Sequence, residues 1–230
     1  MTATTWPLGI ALTSWDYMWR STPMHRSELE EPAEDGDQSL LSLPEGVSGD
    51  ELQPQERGYG PLFHRRYRTR IDDPKLSPEE LISSLERNLN RAAPTTFARF
   101  QKVSGDKEHF AVGDEYVVRM PGPWDGPVRV AACTPRSFRL ATLQGHLEAG
   151  QIEFRAAHVE EARLWFEIES WARSSNRFSN LLYHHLRMAK EVQAHMWISF
   201  LERVVKLSGG RMTGGIEMDT RRLTGAPSAG

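Results

Sequence analysis

The sequence predicts an α+β domain in which one curved antiparallel sheet carries a single long helix near the C-terminus. From Asn176 to Leu207, residues Leu182, Leu186, Ala189, Gln193, Met196, Phe200 and Val204 recur at steps of three and four, which is one face of a continuous helix. From Glu115 to Ala172 the period changes to two, in short runs separated by connections brief enough for antiparallel neighbours. A helix of about 30 residues is a rod of roughly 45 Å. Its apolar side cannot stand in water, and only the sheet is broad enough to cover it.

Residues 1–26 hold Trp6, Trp15 and Trp19, and Leu8, Leu12, Trp15 and Trp19 share one helical stripe, so this segment is expected to be a short helix that docks on the domain. Residues 27–56 carry ten acids and no Lys or Arg, a composition that cannot offset its ordering entropy by burial, and residues 27–57 are expected to form a flexible linker. The folded domain is assigned to residues 58–207. After the turn at Gly58-Tyr-Gly-Pro61, a strand over Leu62 to Ile71 places Phe63, Arg65, Tyr67, Thr69 and Ile71 on one face and His64, Arg66, Arg68 and Arg70 on the other. Ser77-Pro-Glu-Glu80 is a capping box that starts a helix at Pro78. Thr95 to Lys102, with Phe97 and Phe100 three apart, reads as a second short helix. Strands are expected at Glu115 to Met120, Val128 to Thr134, Phe138 to Gln144, Gln151 to His158 and Arg163 to Ala172, with Phe110 to Gly113 as a candidate for one more. Residues 208–230, rich in Gly, Arg, Thr and Ser, are expected to form a flexible tail.

Composition excludes several classes. The net charge is −3, and removing the ten acids of the linker leaves the remainder at about +7. The basic face of the first strand is expected to be solvated, because no aromatic platform interleaves its arginines, and no nucleic-acid partner is expected. Cys133 is the only cysteine, so no intrachain disulfide forms. The N-terminus lacks a basic and then apolar leader, and no apolar run approaches the ~18 residues a membrane span needs, so a cytoplasmic protein without a span is expected. There is no Gly-rich phosphate loop in a strand-to-helix context, and His184, His185 and His195 lack the i, i+4 spacing of a helical metal site. Neither metal nor cofactor is expected.

The order strand, two short helices, antiparallel strands, long helix resembles the helix-grip architecture of the START-like and Bet v 1-like (SRPBCC) superfamily. The resemblance implies a cavity between the sheet and the last helix that takes a lipophilic small molecule. Shorter runs, Gly60-Pro-Leu-Phe-His-Arg-Arg-Tyr67, Leu143 to Phe154, Trp165-Phe-Glu-Ile-Glu169 and Trp171-Ala-Arg173, resemble uncharacterised protein family 0548, the domain-of-unknown-function family DUF1990. Its Gly-His-x-x-x-Gly-x-x-x-Phe run is matched here by Gly145, His146, Gly150 and Phe154.

Three functions follow as expectations. The first is a binding protein whose ligand lies between Phe154, Phe166 and Ile168 on the sheet and Leu186, Gln193, Met196 and Phe200 on the helix. The second is a cyclase, dehydratase or hydrolase using the same cavity, with His146 and Glu148 as acid–base residues near Glu153. The third is a scaffold docking through the N-terminal segment. The plainer expectation for His146 is a turn cap bonded to backbone, since no nucleophile or oxyanion donor accompanies it. Glu167 and Glu169 form a second carboxylate pair, expected to face solvent, and Cys133 is expected to be a small buried hydrophobe.

Overall fold

The computed structural model describes residues 22–32, 49, 51–95, 98–120, 125–160, 162–175 and 187–224. The expected N-terminal helix, most of the linker and the first eleven residues of the expected long helix, including Leu186, His184 and His185, lie outside the described residues.

Among the described residues, nine strands form one sheet. They are β1 (Met24–Pro32), β2 (Tyr59–Asp72), β3 (Arg99–Ser104), β4 (Glu115–Arg119), β5 (Asp125–Thr134), β6 (Ser137–Thr142), β7 (Glu148–Glu160), β8 (Arg163–Ser174) and β9 (Arg211–Thr224). The described residues add two α-helices, α1 (Pro78–Arg87) and α2 (Arg187–Ser208). The spatial order is β1-β9-β2-β8-β7-β6-β5-β4-β3. Among the described strands only β1 and β9 pair in parallel, so the sheet is mixed and its interior antiparallel. The fold is α+β with a large curved sheet and one helix near the C-terminus.

Alternation sets the faces. Tyr67 and Ile71 of β2, Leu164, Phe166 and Ile168 of β8 and Phe154 of β7 are buried in one core with Phe200, Leu201 and Val204 of α2. Register places Tyr67 beside Ile168 and Thr69 beside Phe166, and Phe154 faces Ile168 from the other side. A one-residue slip would expose this entire set, so the pattern fixes the register. α1 begins as its sequence demands. The Glu80 amide donates to Ser77 Oγ (3.2 Å), the Ser77 amide donates to Glu80 Oε2 (2.8 Å), and Pro78 opens the first turn.

Three expectations are corrected. The segment read as a flexible tail is β9, hydrogen-bonded along β2, with Ile216, Met218 and Leu223 buried. Gly214 and Gly215, which suggested a loop, sit at φ +75° and +82° where the β2–β9 register shifts, so they form a bulge inside the strand. The acidic linker contributes Ser27 to Pro32 to β1, an edge strand whose Glu31 meets Arg221 across the ladder (3.3 Å). Its C-terminal part is also fixed: Leu52 is buried against Ala131, Ala141 and Leu143, and Gln55–Arg57 is a 3-10 turn. Finally, the expected second helix is β3 over Arg99 to Ser104. The Asn90 side chain clamps Phe100 by accepting from its amide and donating to its carbonyl, each at 2.8 Å. β3 supplies the sixth strand sought at Phe110 to Gly113.

Because β9 shields β2 from becoming an edge, deleting residues 211–230 is expected to lower the melting temperature by at least about 10 °C or to cause aggregation. A truncated chain that melts like the full one in calorimetry would return the segment to the status of a tail.

Candidate functional site

The turn joining β6 to β7 accounts for the Gly-His-x-x-x-Gly-x-x-x-Phe run. Gly145 adopts φ +94°, which an L side chain resists. At Gly150 a Cβ would stand 2.0 Å from the Trp171 carbonyl oxygen, so only glycine lets β7 approach β8 there. Phe154 ends the run in the core, stacked on Phe138 at 4.7 Å. The supposed linker bolts the turn from outside. Gln53 Nε2 donates to the carbonyls of His146 (2.9 Å) and Glu148 (2.8 Å), and its own carbonyl accepts from Gly150 (3.0 Å).

His146 caps this turn: the Glu148 amide donates to its Nδ1 (2.9 Å). Nδ1 also lies 3.1 Å from the Glu148 carbonyl, so both backbone groups of Glu148 are within its reach. Nε2 lies 3.0 Å from where a Cβ on Gly126 would be, beside Val118, so the imidazole rests on the inner face of β5 against a residue with no side chain. Burial holds its pKa below the ordinary value, partly offset by the Glu148 charge.

The Glu148 carboxylate is engaged by α2 and β2. Gln193 Nε2 of α2 donates to Oε2 (3.1 Å), and the Arg65 guanidinium of β2 reaches Oε1 at 3.5 Å. Arg65 is only 4% exposed, on the inner face beside Tyr67. This polar tie joins sheet and helix at one end of an otherwise apolar interface. His146 and Glu148 are thus neighbours through backbone, while the carboxylate serves the helix.

Beyond the tie the wall is aromatic. Phe154 meets Trp197 edge-on (5.7 Å between centroids) and Phe200 at 5.3 Å, and Phe166 meets Phe200 at 6.4 Å. Of the expected ligand contacts, Phe154, Phe166, Ile168 and Phe200 come together here fully buried, Met196 is half-buried against the same core, and Gln193 belongs to the polar tie. The sequence reading did not single out Arg65, Ser170 or Trp197. The available signal for Arg65 was an arginine at an apolar position of a period-two strand.

The other face of the sheet is not the wet surface expected. Glu167 and Glu169 are buried beneath Arg155, which pairs with both. Glu169 also accepts from His64 (2.7 Å), and His64 stacks on Trp171. Burial would raise the Glu169 pKa, but His64 and Arg155 outweigh it and hold the carboxyl below its usual range. The arginines of β2 are paired as well, Arg66 with Asp219 and Arg68 with Glu217, both at 2.8 Å. Cys133 is half-buried and its thiol is pushed up to about 11 by burial, then by Glu86 and Asp114, which keeps it protonated and inert. Among the described residues no group of His, Cys, Asp and Glu could hold a metal ion, and no helix is long and apolar enough to cross a membrane. A groove of about 630 Å³ lies beside α1, lined by Leu76, Ser84, Arg87 and Leu207.

The family model described as Domain of unknown function (DUF1990) matches residues 58–202. The chain belongs to this family. The DUF1990 match contains the whole site from Arg65 to Trp197 and leaves β1 and β9 outside. No curated protein matches the sequence. Among solved structures the chain is similar to norcoclaurine synthase from Thalictrum flavum in complex with dopamine and hydroxybenzaldehyde, at 9% identity, 72% of this chain, 96% of that one and a TM-score of 0.47. Hypothetical protein jhp0584 from Helicobacter pylori is similar at 8% identity, 62% of this chain, 87% of that one and a TM-score of 0.44. The di-domain ARO/CYC StfQ from the steffimycin biosynthetic pathway is similar at 8% identity, 67% of this chain, 52% of that one and a TM-score of 0.48.

Two outcomes test this geometry in the DUF1990 chain. Gly150→Ala is expected to cost at least about 3 kcal/mol in denaturant unfolding, since the clash is with backbone. The folded His146 pKa lies below the ordinary 6.5, so between the two values the unfolded chain binds the extra proton and stability falls as pH drops through 6.5. In His146→Asn, which keeps an acceptor for the Glu148 amide, the stability lost between pH 7 and pH 5 is expected to shrink. An unchanged loss would show that His146 is not buried neutral.

Proposed function

We propose that this DUF1990 chain binds a small lipophilic molecule between the inner face of its curved sheet and α2, in a helix-grip arrangement. The observation that carries the reading is a mismatch of spans. Two of the contacts between sheet and helix are Glu148 with Gln193 and Phe154 with Phe200. Those contacts are about 20 Å apart along β7 but about 10 Å apart along α2, at 3.3 Å per strand residue and 1.5 Å per helix residue. A wall longer than the rod it faces bows away from it. The inner wall on that stretch also carries small side chains, Ser170 and Ala172 of β8, beside Gly150. A bowed wall of small residues, closed by aromatic rings at one end and a polar tie at the other, suits a compact apolar ligand with limited polar functionality. Phe154, Phe166, Ile168 and Phe200 form its floor in this reading, Gln193 and Met196 its helical side, and His146 and Glu148 stand at its rim.

The neutral fluorophore N-phenyl-1-naphthylamine provides the test. One saturable site with a micromolar Kd is expected, and Ser170→Leu, which fills the bowed stretch, is expected to weaken binding at least tenfold while leaving the melting temperature within a few degrees. Absence of saturable binding, or equal binding by the filled variant, contradicts the reading.

A further inference from the structure

We infer that the sheet–helix gap contains a built subsite for an uncharged hydrogen-bond acceptor, so that the molecule held there is an apolar body bearing a carbonyl. The inference rests on the lipophilic-ligand reading above and names the chemistry of the ligand's polar end. Its starting point is a pair of buried polar groups without partners. Ser170 is 5% exposed and Trp197 6% exposed. Among the described residues, neither Ser170 Oγ nor Trp197 Nε1 makes a hydrogen bond. Leaving such groups unpaired destabilises a fold, and native interiors pair nearly all of them.

The two groups come from the two sides of the sheet–helix contact, Ser170 from β8 and Trp197 from α2. Trp197 lies edge-on to Phe154 at 5.7 Å. Ser170 pairs across the ladder with Ile152, one inner-face step along β7 from Phe154, and with Arg65 on its other side. Gln193, one helical turn before Trp197, marks the polar end of the same stretch.

The donor set selects the ligand. An indole N–H can only donate, and a serine hydroxyl donates readily, so the subsite asks for an acceptor. Charge then separates neutral from anionic acceptors. The cation of this wall, Arg65, already faces the carboxylate of Glu148. The pair is balanced, and a second carboxylate placed beside Glu148 in a dry gap would be repelled. A ketone, quinone or ester carbonyl fits, with its apolar body toward Phe154 and Phe200.

Three naphthalenes of similar shape test this on the full-length chain by calorimetric titration: 2-acetylnaphthalene, 2-ethylnaphthalene and 2-naphthoate. The ketone is expected to bind at least tenfold more tightly than either of the others. Ser170→Ala and Trp197→Phe are each expected to bring the ketone to within about threefold of the hydrocarbon without weakening the hydrocarbon. Ser170→Ala, having lost an unpaired buried group with almost no loss of packing, is expected to be as stable without ligand as the parent or more so, which a purely structural role would not produce. If Trp197→Phe fails to fold, the smaller Ser170→Ala change decides. Equal binding of ketone and hydrocarbon, or tightest binding of the naphthoate, overturns the acceptor subsite while leaving the lipophilic site standing. No binding of any of the three overturns both.

Discussion

The packing of α2 against the inner face of the sheet is the interaction on which the rest depends. Phe154 and Phe166 on adjacent strands meet Phe200 from one side, and Trp197 closes against Phe154 and Phe200. Removing one fully buried Phe of this kind costs about 3–5 kcal/mol, a large share of what a domain has to spare. Beyond these rings α2 is buried on more than one side, since Ile198, Leu201, Val204 and Val205 are also inaccessible. It packs on β2, β8, β9 and α1 together. A helix so enclosed fixes the sheet's curvature as much as the sheet fixes the helix.

The polar tie takes its meaning from that packing. Arg65, Glu148 and Gln193 stand where the aromatic contact gives out, and charged groups in such a place cost desolvation that hydrophobic residues would not. The turn bearing His146 and Glu148 is held rigidly by its two glycines, by Gln53 and by the Glu148 amide. In the proposed function the rim, the bowed wall and the aromatic floor form a preorganised place for a guest. His146 contributes to that rim as a neutral turn cap.

Period two exposed β2 and β4 to β8, and the Ser77 capping box exposed α1, because those signals are written in local residues. β1 and β9 were hidden for physical reasons. They pair with each other from opposite ends of the chain, β1 is solvent-exposed and reads as linker, and the bulge at Gly214 and Gly215 imitates a loop. β3 was hidden because Phe97 and Phe100 have helical spacing, whereas Asn90 and the β4 ladder decide the conformation. Within the site, alternation placed Arg65 inside, and the heptad-like stripe found Met196 and Phe200. The stripe was too narrow for Trp197, one step away. Ser170 carried no signal, since a small polar residue gains significance only when its surroundings show it unpaired.

Side-chain methyl NMR during titration with N-phenyl-1-naphthylamine tests the central claim most directly. The account predicts shifts concentrated at Ile152, Ile168, Ile198 and Met196, around the bowed stretch, with Val103 at the far edge and Leu76 beside α1 unmoved. Shifts confined to Leu76 and Leu207, or to the opposite face of the sheet, would contradict it.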